Sequence, residues 1–174
     1  MDKHWFAVKT FYKRLGSVQK AFESSGYRTY VAMRVEEKYE RGRLAYVEKP
    51  LIASLLFVEC TAEYLKRFKR EHESDMLFYS KAGSNEPAPI PDIEMRSFII
   101  LTTADRGRRV ELLGESVPDF RRGEHVRVTA GVYAGAEGYI RRIRGDRKLL
   151  VAITGVAVVA VSYIHPAYLE KLHT

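Results

Sequence analysis

The amino-acid sequence predicts an α+β domain followed by a small all-β barrel. Residues 1–103 alternate between strand-like and helix-like hydrophobic periods, which is typical of one antiparallel sheet flanked by helices. Residues 119–174 contain short β-branched strands separated by glycine turns, as in small antiparallel barrels. The residues between them, 104–118, have no clear hydrophobic period and balance their charges. We therefore expect two domains joined by a polar linker.

The elements of the first domain follow from local patterns. Helices are expected where apolar residues recur at helical spacing, at 13–25, 62–72 and 92–103. Gly26 ends the first of them, and Pro91 precedes the last. The strands expected between them are 4–12, 27–33, 54–60 and 76–80, of which 54–60 is the most apolar and should be central. The charged stretch 34–51 carries Arg41-Gly42 at its centre and predicts an exposed hairpin.

The second domain contains an unusual connection, "VRVTAGVYAGAEGYIRRI" at residues 126–143. Its flanks read as strands, so Gly131, Gly135 and Gly138 must serve a tight turn or a close approach of another group. A helical form of this domain is disfavoured, because each glycine costs a helix interior about 1 kcal/mol relative to alanine. The β-branched stretch "VAVVAVSY" also opposes a helix. We expect a barrel in the free protein.

Charge and cysteine content limit the class of protein. The 174 residues carry a net charge of +7, which indicates attraction to polyanions, although a merely soluble basic surface is the alternative. Residues 119–174 are the more basic part per residue, largely because of one expected hairpin tip. That tip contains Arg141, Arg142, Arg144, Arg147 and Lys148. The one cysteine, Cys60, permits no disulfide within the chain and reads as a small apolar strand residue. No signal peptide or membrane-spanning stretch is evident, so we expect a cytoplasmic protein without a membrane partner.

Catalytic and metal-binding patterns are weak. None of the five histidines pairs with another or with Cys60 at metal-ligand spacing. Ser17 and Lys20 fit the SxxK pattern, but the other elements of that class of enzyme are missing. No phosphate-binding or nucleophile-elbow motif occurs. We expect no enzyme activity, no catalytic residue, no metal and no cofactor.

Two stretches resemble the NusG family of transcription elongation and antitermination factors. The pattern around Val126, Val128, Gly131, Gly135, Gly138 and Ile140 resembles the KOW motif of ribosomal proteins and elongation factors. Upstream, "WFAVKTFYKR" and "EKPLIASLLFVEC" resemble strands of the NusG N-terminal domain. The order of elements matches as well, and the sequence looks closest to specialised paralogs of the RfaH and UpxY kind. In such paralogs the C-terminal domain can also form a helical hairpin.

This resemblance implies a function and a set of contacts. The N-terminal domain would bind the clamp helices of the RNA polymerase β′ subunit through Ile52, Leu55 and Phe57, with Lys9 at the rim. The alternative is that Leu55 and Phe57 face the core together. Non-template DNA or nascent RNA would lie nearby. The expected DNA contacts are Lys13, Arg14, Lys20, Arg41 and Arg43, whose alternative is a solvated polar face. The KOW domain would recruit the ribosomal protein NusE, the termination factor Rho, or RNA, and the protein would be a monomer.

One departure from the family pattern concerns the turn before the apolar strand. The common Phe-Pro-Gly-Tyr turn is here Ile52-Ala53-Ser54-Leu55. The rival interpretation of the whole chain is a general nucleic-acid-binding KOW protein, related to ribosomal proteins, without polymerase contact.

Overall fold

The computed structural model describes residues 2–11, 13–162 and 164–173. Met1, Tyr12, Tyr163 and Thr174, which the predicted strands and domains include, lie outside the described residues. The chain forms two compact units. The first unit comprises Met1–Val31 and Ile52–Asp92, and the second comprises Ala32–Leu51 and Ile93–Thr174. The predicted fold class, an α+β part and an all-β part, is confirmed.

The described residues form twelve strands and three α-helices. The strands are β1 His4–Thr10, β2 Arg28–Tyr30, β3 Met33–Glu40, β4 Arg43–Pro50, β5 Leu55–Cys60, β6 Met76–Phe78, β7 Glu111–Gly114, β8 Glu124–Val128, β9 Glu137–Ile143, β10 Asp146–Ile153, β11 Ala157–Ser162 and β12 Leu169–Lys171. The helices are α1 Leu15–Ser24, α2 Ala62–Glu71 and α3 Asp92–Thr103. All three predicted helices are therefore present.

The first unit is built on a four-stranded antiparallel sheet in the order β2-β5-β1-β6. Strand β5 is internal, as its apolar sequence predicts. One face of the sheet carries alternate residues of β1 and β5, and helices α1 and α2 cover it with apolar side chains. Phe22 of α1 and Phe68 of α2 stack with their ring centroids 3.9 Å apart. The Thr61 side chain accepts the Tyr64 N–H and fixes the start of α2.

Cys60 ends strand β5 inside this core. Its side chain is fully buried, and burial raises the pKa of the thiol to about 12, with nearby Lys3 acting in the opposite direction. The thiol is therefore neutral at physiological pH, which agrees with an apolar strand residue and not with a reactive group.

The second unit begins with a two-stranded hairpin, β3 and β4, called here the first hairpin. Arg41 and Gly42 form its turn with φ of 50° and 77°, which is the left-handed pair of a type I′ connection. The predicted exposed hairpin is confirmed. At the other end of the hairpin, the Arg34 side chain donates to the Val110 carbonyl at 3.1 Å, and Val35 is buried.

A six-stranded antiparallel sheet in the order β12-β8-β9-β10-β11-β7 forms the rest of the second unit. Strands β9 and β10 are joined at Arg144 and Gly145, with φ of 52° and 90°, and form the second hairpin. Strand β7 lies inside the predicted linker, where four residues are too few to reveal a period, and it pairs with β11.

Helix α3, from Ile93 onward, packs within the second unit. The Glu137 N–H donates to Ser97 Oγ at 2.9 Å, and the Thr154 N–H donates to Glu94 Oε1 at 2.7 Å. Helical side chains thereby satisfy two backbone donors at the ends of sheet strands. No helix in the described part of the chain is long and apolar enough to cross a membrane.

Candidate functional site

Three of the four residues predicted to contact the polymerase, Lys9, Leu55 and Phe57, lie on one face of the first sheet, and Ile52 lies in the turn before β5. Lys9 pairs with Leu55 across β1 and β5, and Phe57 is the next residue of β5 on that face. Lys9 is exposed and Ile52 is half-buried, but Leu55 is 5% exposed and Phe57 is fully buried. Of the two interpretations that the sequence left open, the structure has Leu55 and Phe57 in the interior. Only Lys9 and Ile52 of this set are accessible.

The turn that departs from the family pattern keeps an unusual backbone conformation. Ser54 has φ of 67°, although it is not glycine. Its carbonyl accepts the Thr10 N–H at 2.8 Å and the Thr10 hydroxyl at 3.3 Å. The left-handed geometry that a glycine would adopt freely is therefore imposed on a serine by strand β1, at a cost of roughly 1 kcal/mol.

The five predicted DNA contacts are divided between the units. In the first unit, Lys13 and Lys20 are exposed, and Arg14 lies 3.7 Å from the Asp75 carboxylate. In the second unit, Arg41 and Arg43 are exposed at the tip of the first hairpin. An ion pair at this distance and exposure contributes little to stability, so Arg14 is available to a partner.

The glycine stretch is explained by internal packing. Gly131 and Gly135 have φ of 84° and 93°, so both need the left-handed region. Gly138 does not, but a Cβ there would lie 2.2 Å from the Leu150 carbonyl oxygen on the neighbouring strand. Within the same turn Tyr133 is buried, and burial raises the pKa of its hydroxyl. Ile140, the last residue of the pattern, is half-buried in β9.

The basic residues of the second hairpin have two different roles. Arg141 donates to the carbonyls of Pro118 and Asp119 at 3.0 and 2.7 Å, and Lys148 pairs with Glu111. Arg141 of β9 therefore holds the segment before β8, and Lys148 of β10 links that strand to β7.

The other three arginines, Arg142, Arg144 and Arg147, are exposed. Arg142 and Arg147 stand directly opposite each other across the two strands. Like charges in that position are destabilising, so the Arg142–Arg147 pair opposes folding, although Arg142 also donates to the Gly145 carbonyl at 3.4 Å.

Sequence reasoning missed an apolar surface on the first hairpin. Tyr39, Leu44 and Tyr46 are 76%, 44% and 57% exposed. The available signal was the placement of large apolar residues at alternate positions of a highly charged stretch.

One cavity of the second unit is too small for most small-molecule ligands. A cavity of about 190 Å³ lies between the start of α3 and the sheet, bordered by Ile93, Phe120, His125 and Tyr139. This is smaller than the roughly 300–1,000 Å³ of most small-molecule sites. Within the described ranges, no group of three His, Cys, Asp or Glu side chains could hold a metal ion.

The fold and surface define a class of modular protein that joins an α+β sheet unit to a small antiparallel sheet and presents cationic hairpin tips. Within this class, the family model described as transcription termination factor NusG matches residues 3–99. The match covers more than half of the chain, and the protein belongs to the NusG family. Members of this family are transcription factors rather than enzymes, and they generally bind RNA polymerase.

Solved structures agree on the fold. Sixteen chains match, and one of them is described as "Domain interaction in Thermotoga maritima NusG". The two chains are 24% identical, the alignment covers 99% of each of them, and the TM-score is 0.50. At this identity the likeness concerns the fold alone. No curated protein sequence matches the chain.

Proposed function

We propose that this protein is a transcription elongation or antitermination factor that binds RNA polymerase through its N-terminal part and a second partner through its C-terminal part. The observation that carries the proposal is the NusG family match over residues 3–99. We assign 1–103 as the polymerase-binding domain, 104–118 as the connecting segment and 119–174 as a KOW domain. The factor acts in the cytoplasm as a monomer.

The polymerase contact is proposed on the β1–β5 face of the first unit, at the clamp helices of the β′ subunit. Lys9 is exposed on that face and Ile52 is half-buried in the turn before β5, whereas Leu55 and Phe57 of β5 are buried. The assignment to specialised paralogs of the RfaH or UpxY kind rests on the sequence resemblance, and the turn at Ser54, which departs from the common family turn, would alter the polymerase contact.

Nucleic acid next to the polymerase would meet basic side chains of both units. We assign non-template DNA to Lys13, Arg14 and Lys20 of the first unit and to Arg41 and Arg43 of the first hairpin. Their exposure and positive charge support this role.

The C-terminal domain would recruit NusE, Rho or nascent RNA. Arg142, Arg144 and Arg147 are proposed as its contact residues because all three are exposed, and because Arg142 and Arg147 are a like-charged pair that opposes folding. A structured acidic or phosphate-bearing partner would relieve the repulsion between Arg142 and Arg147.

The decisive experiment is co-purification with core RNA polymerase after nuclease treatment. We expect the intact protein to retain polymerase, and the double variant Lys9→Glu, Ile52→Asp to lose it. Leu112→Asp is the matched control, because Leu112 is 39% exposed on β7 and outside the proposed surface. Loss of polymerase on nuclease treatment alone would favour the rival function, a nucleic-acid-binding protein without polymerase contact.

A further inference from the structure

The first hairpin presents an apolar face that its own fold does not use. In the register of β3 and β4, Tyr39 stands opposite Leu44, and Tyr46 stands opposite Glu37. Side chains of opposed residues share a face, and alternate residues of a strand do so as well. Tyr39, Leu44 and Tyr46 therefore form one patch, which we call the tyrosine face, and all three are exposed.

The two tyrosines are diagonal neighbours across the strands, at a Cα separation of about 7–8 Å. The Arg108 guanidinium lies 5.4 Å from the Tyr46 ring centroid and orients that ring. Tyr39 is the most exposed large apolar side chain of those described, at 76%. Its ring is thus open to a flat partner.

Charge at the hairpin tip is unevenly balanced. Lys38 pairs with Glu40 at 2.7 Å, and Lys49 pairs with Glu36 at 2.6 Å, so these four side chains neutralise one another. Among the described residues, Arg41 and Arg43 form no ion pair. Glu37, which shares the tyrosine face, stands opposite Tyr46, two residue pairs further from the tip than Tyr39 and Leu44. The tip itself therefore carries two uncompensated positive charges next to an open aromatic ring.

Open aromatic rings beside cationic side chains are the features by which proteins bind unpaired nucleic-acid strands. Every base offers a flat face to a tyrosine, whereas the bases of a duplex are stacked on each other and are not accessible. We propose that the tyrosine face binds a single DNA strand, with a base stacked on Tyr39 and the adjoining phosphates on Arg41 and Arg43. The choice of DNA rests on the function proposed above, which places these arginines on the non-template strand.

Binding of fluorescent oligonucleotides to the purified full-length protein tests the inference, with anisotropy as the readout and without polymerase. The probes are a single-stranded DNA, the same strand with abasic positions, the corresponding RNA, and the DNA duplex. We expect the single DNA strand to bind best and the abasic strand to bind on the order of tenfold more weakly, because it cannot stack.

Three variants at one position separate stacking from bulk and from folding. Tyr39→Phe retains the ring and should bind as the parent does. Tyr39→Leu retains apolar bulk without a π face and should weaken binding of the intact strand on the order of tenfold, with no effect on the abasic strand. The double variant Arg41→Ala, Arg43→Ala should reduce the dependence of log affinity on log salt by about 1.4, since each single-strand phosphate contributes about 0.7.

Several outcomes would overturn the inference. These are equal binding of intact and abasic strands, equal affinity for duplex, a preference for RNA, or an unchanged Tyr39→Leu variant. The inference would also be overturned if the tyrosine face bound a protein and not DNA. Polymerase co-purification is measured separately, so loss of DNA stacking with polymerase binding retained contradicts this inference alone. Loss of polymerase binding with stacking retained contradicts only the proposed function.

Discussion

The two hairpins of the second unit have the same type of turn but differ in the strands that pair with them. Each joins its strands through an Arg-Gly pair in the left-handed conformation, Arg41-Gly42 and Arg144-Gly145. The first hairpin is a separate two-stranded sheet, whereas the second is in the middle of six strands.

The consequence is visible in the apolar side chains. In strand β10 of the second hairpin, the five residues 149–153 are all buried. In the first hairpin, Tyr39, Leu44 and Tyr46 remain exposed. Identical turn chemistry therefore fixes the connection but not the role of the strands. The second hairpin is part of a core, and the first leaves large apolar side chains exposed.

The largest expected effect concerns the close approach of the strands in the second hairpin. Gly138→Ala would place a Cβ 2.2 Å from the Leu150 carbonyl oxygen, which is backbone and cannot rotate away. We expect destabilisation at or above the ~3 kcal/mol upper end of overpacking costs. The measurement is chemical denaturation followed by the amide NMR signals of β10 and β11. Gly16→Ala is the control, because no atom lies within 4 Å of a Cβ there. Unchanged stability of the Gly138 variant would show that the strands separate readily.

The next effect tests burial directly. Leu150 is fully buried with Ala152, Val158 and Ala160, whereas Leu44 is 44% exposed. We expect Leu150→Ala to cost about 3 kcal/mol, and Leu44→Ala to change stability by less than about 0.5 kcal/mol. The same denaturation experiment compares them. Equal losses would mean that the first hairpin also contributes to a core.

Alanine in the two turns measures how strongly each hairpin is coupled to the rest. Gly42 and Gly145 both have open space around a Cβ and positive φ. Each substitution should therefore cost about 1 kcal/mol locally. For Gly145→Ala we expect that loss in global stability. For Gly42→Ala we expect it only as faster hydrogen exchange of amides 34–49, because a two-stranded hairpin can open by itself. If both variants lost the same global free energy of unfolding, the first hairpin would unfold cooperatively with the rest of the second unit.

The smallest expected effect concerns charge. Arg142→Glu replaces a like-charged pair with Arg147 by an opposite pair and should stabilise the protein by about 0.5 kcal/mol. Arg43→Glu places a carboxylate opposite Glu40 and should lower protection of the first hairpin by a similar amount. The denaturation midpoint and amide exchange at low and high salt are the measurements. A salt-independent change would attribute the effect to packing.

The sequence predicted the elements better than it predicted their surroundings. Alternation showed that Leu55 and Phe57 share a face, but a strand pattern does not reveal whether that face is covered. Gly123 illustrates the same limit, since a Cβ there would lie 2.2 Å from the Ile140 carbonyl oxygen although its φ is ordinary. A close approach depends on a neighbour distant in sequence, so local patterns do not contain it.

Surface roles were predictable only in part. The five basic residues assigned to the second hairpin look alike in sequence. In the structure, Arg141 and Lys148 hold neighbouring segments, and the other three remain exposed. Side-chain direction and the carbonyls or carboxylates within reach decide between these roles, and both arise from tertiary contacts.

The buried thiol of Cys60 is a natural probe for opening of the first unit. With its pKa raised to about 12 and no exposed surface, it can attack a disulfide reagent only when the first unit opens. The chain has no other cysteine, so the labelling rate reports on that half of the protein alone. Bound polymerase that protects the first unit would lower the labelling rate of Cys60, whereas a ligand of the second unit would leave that rate unchanged.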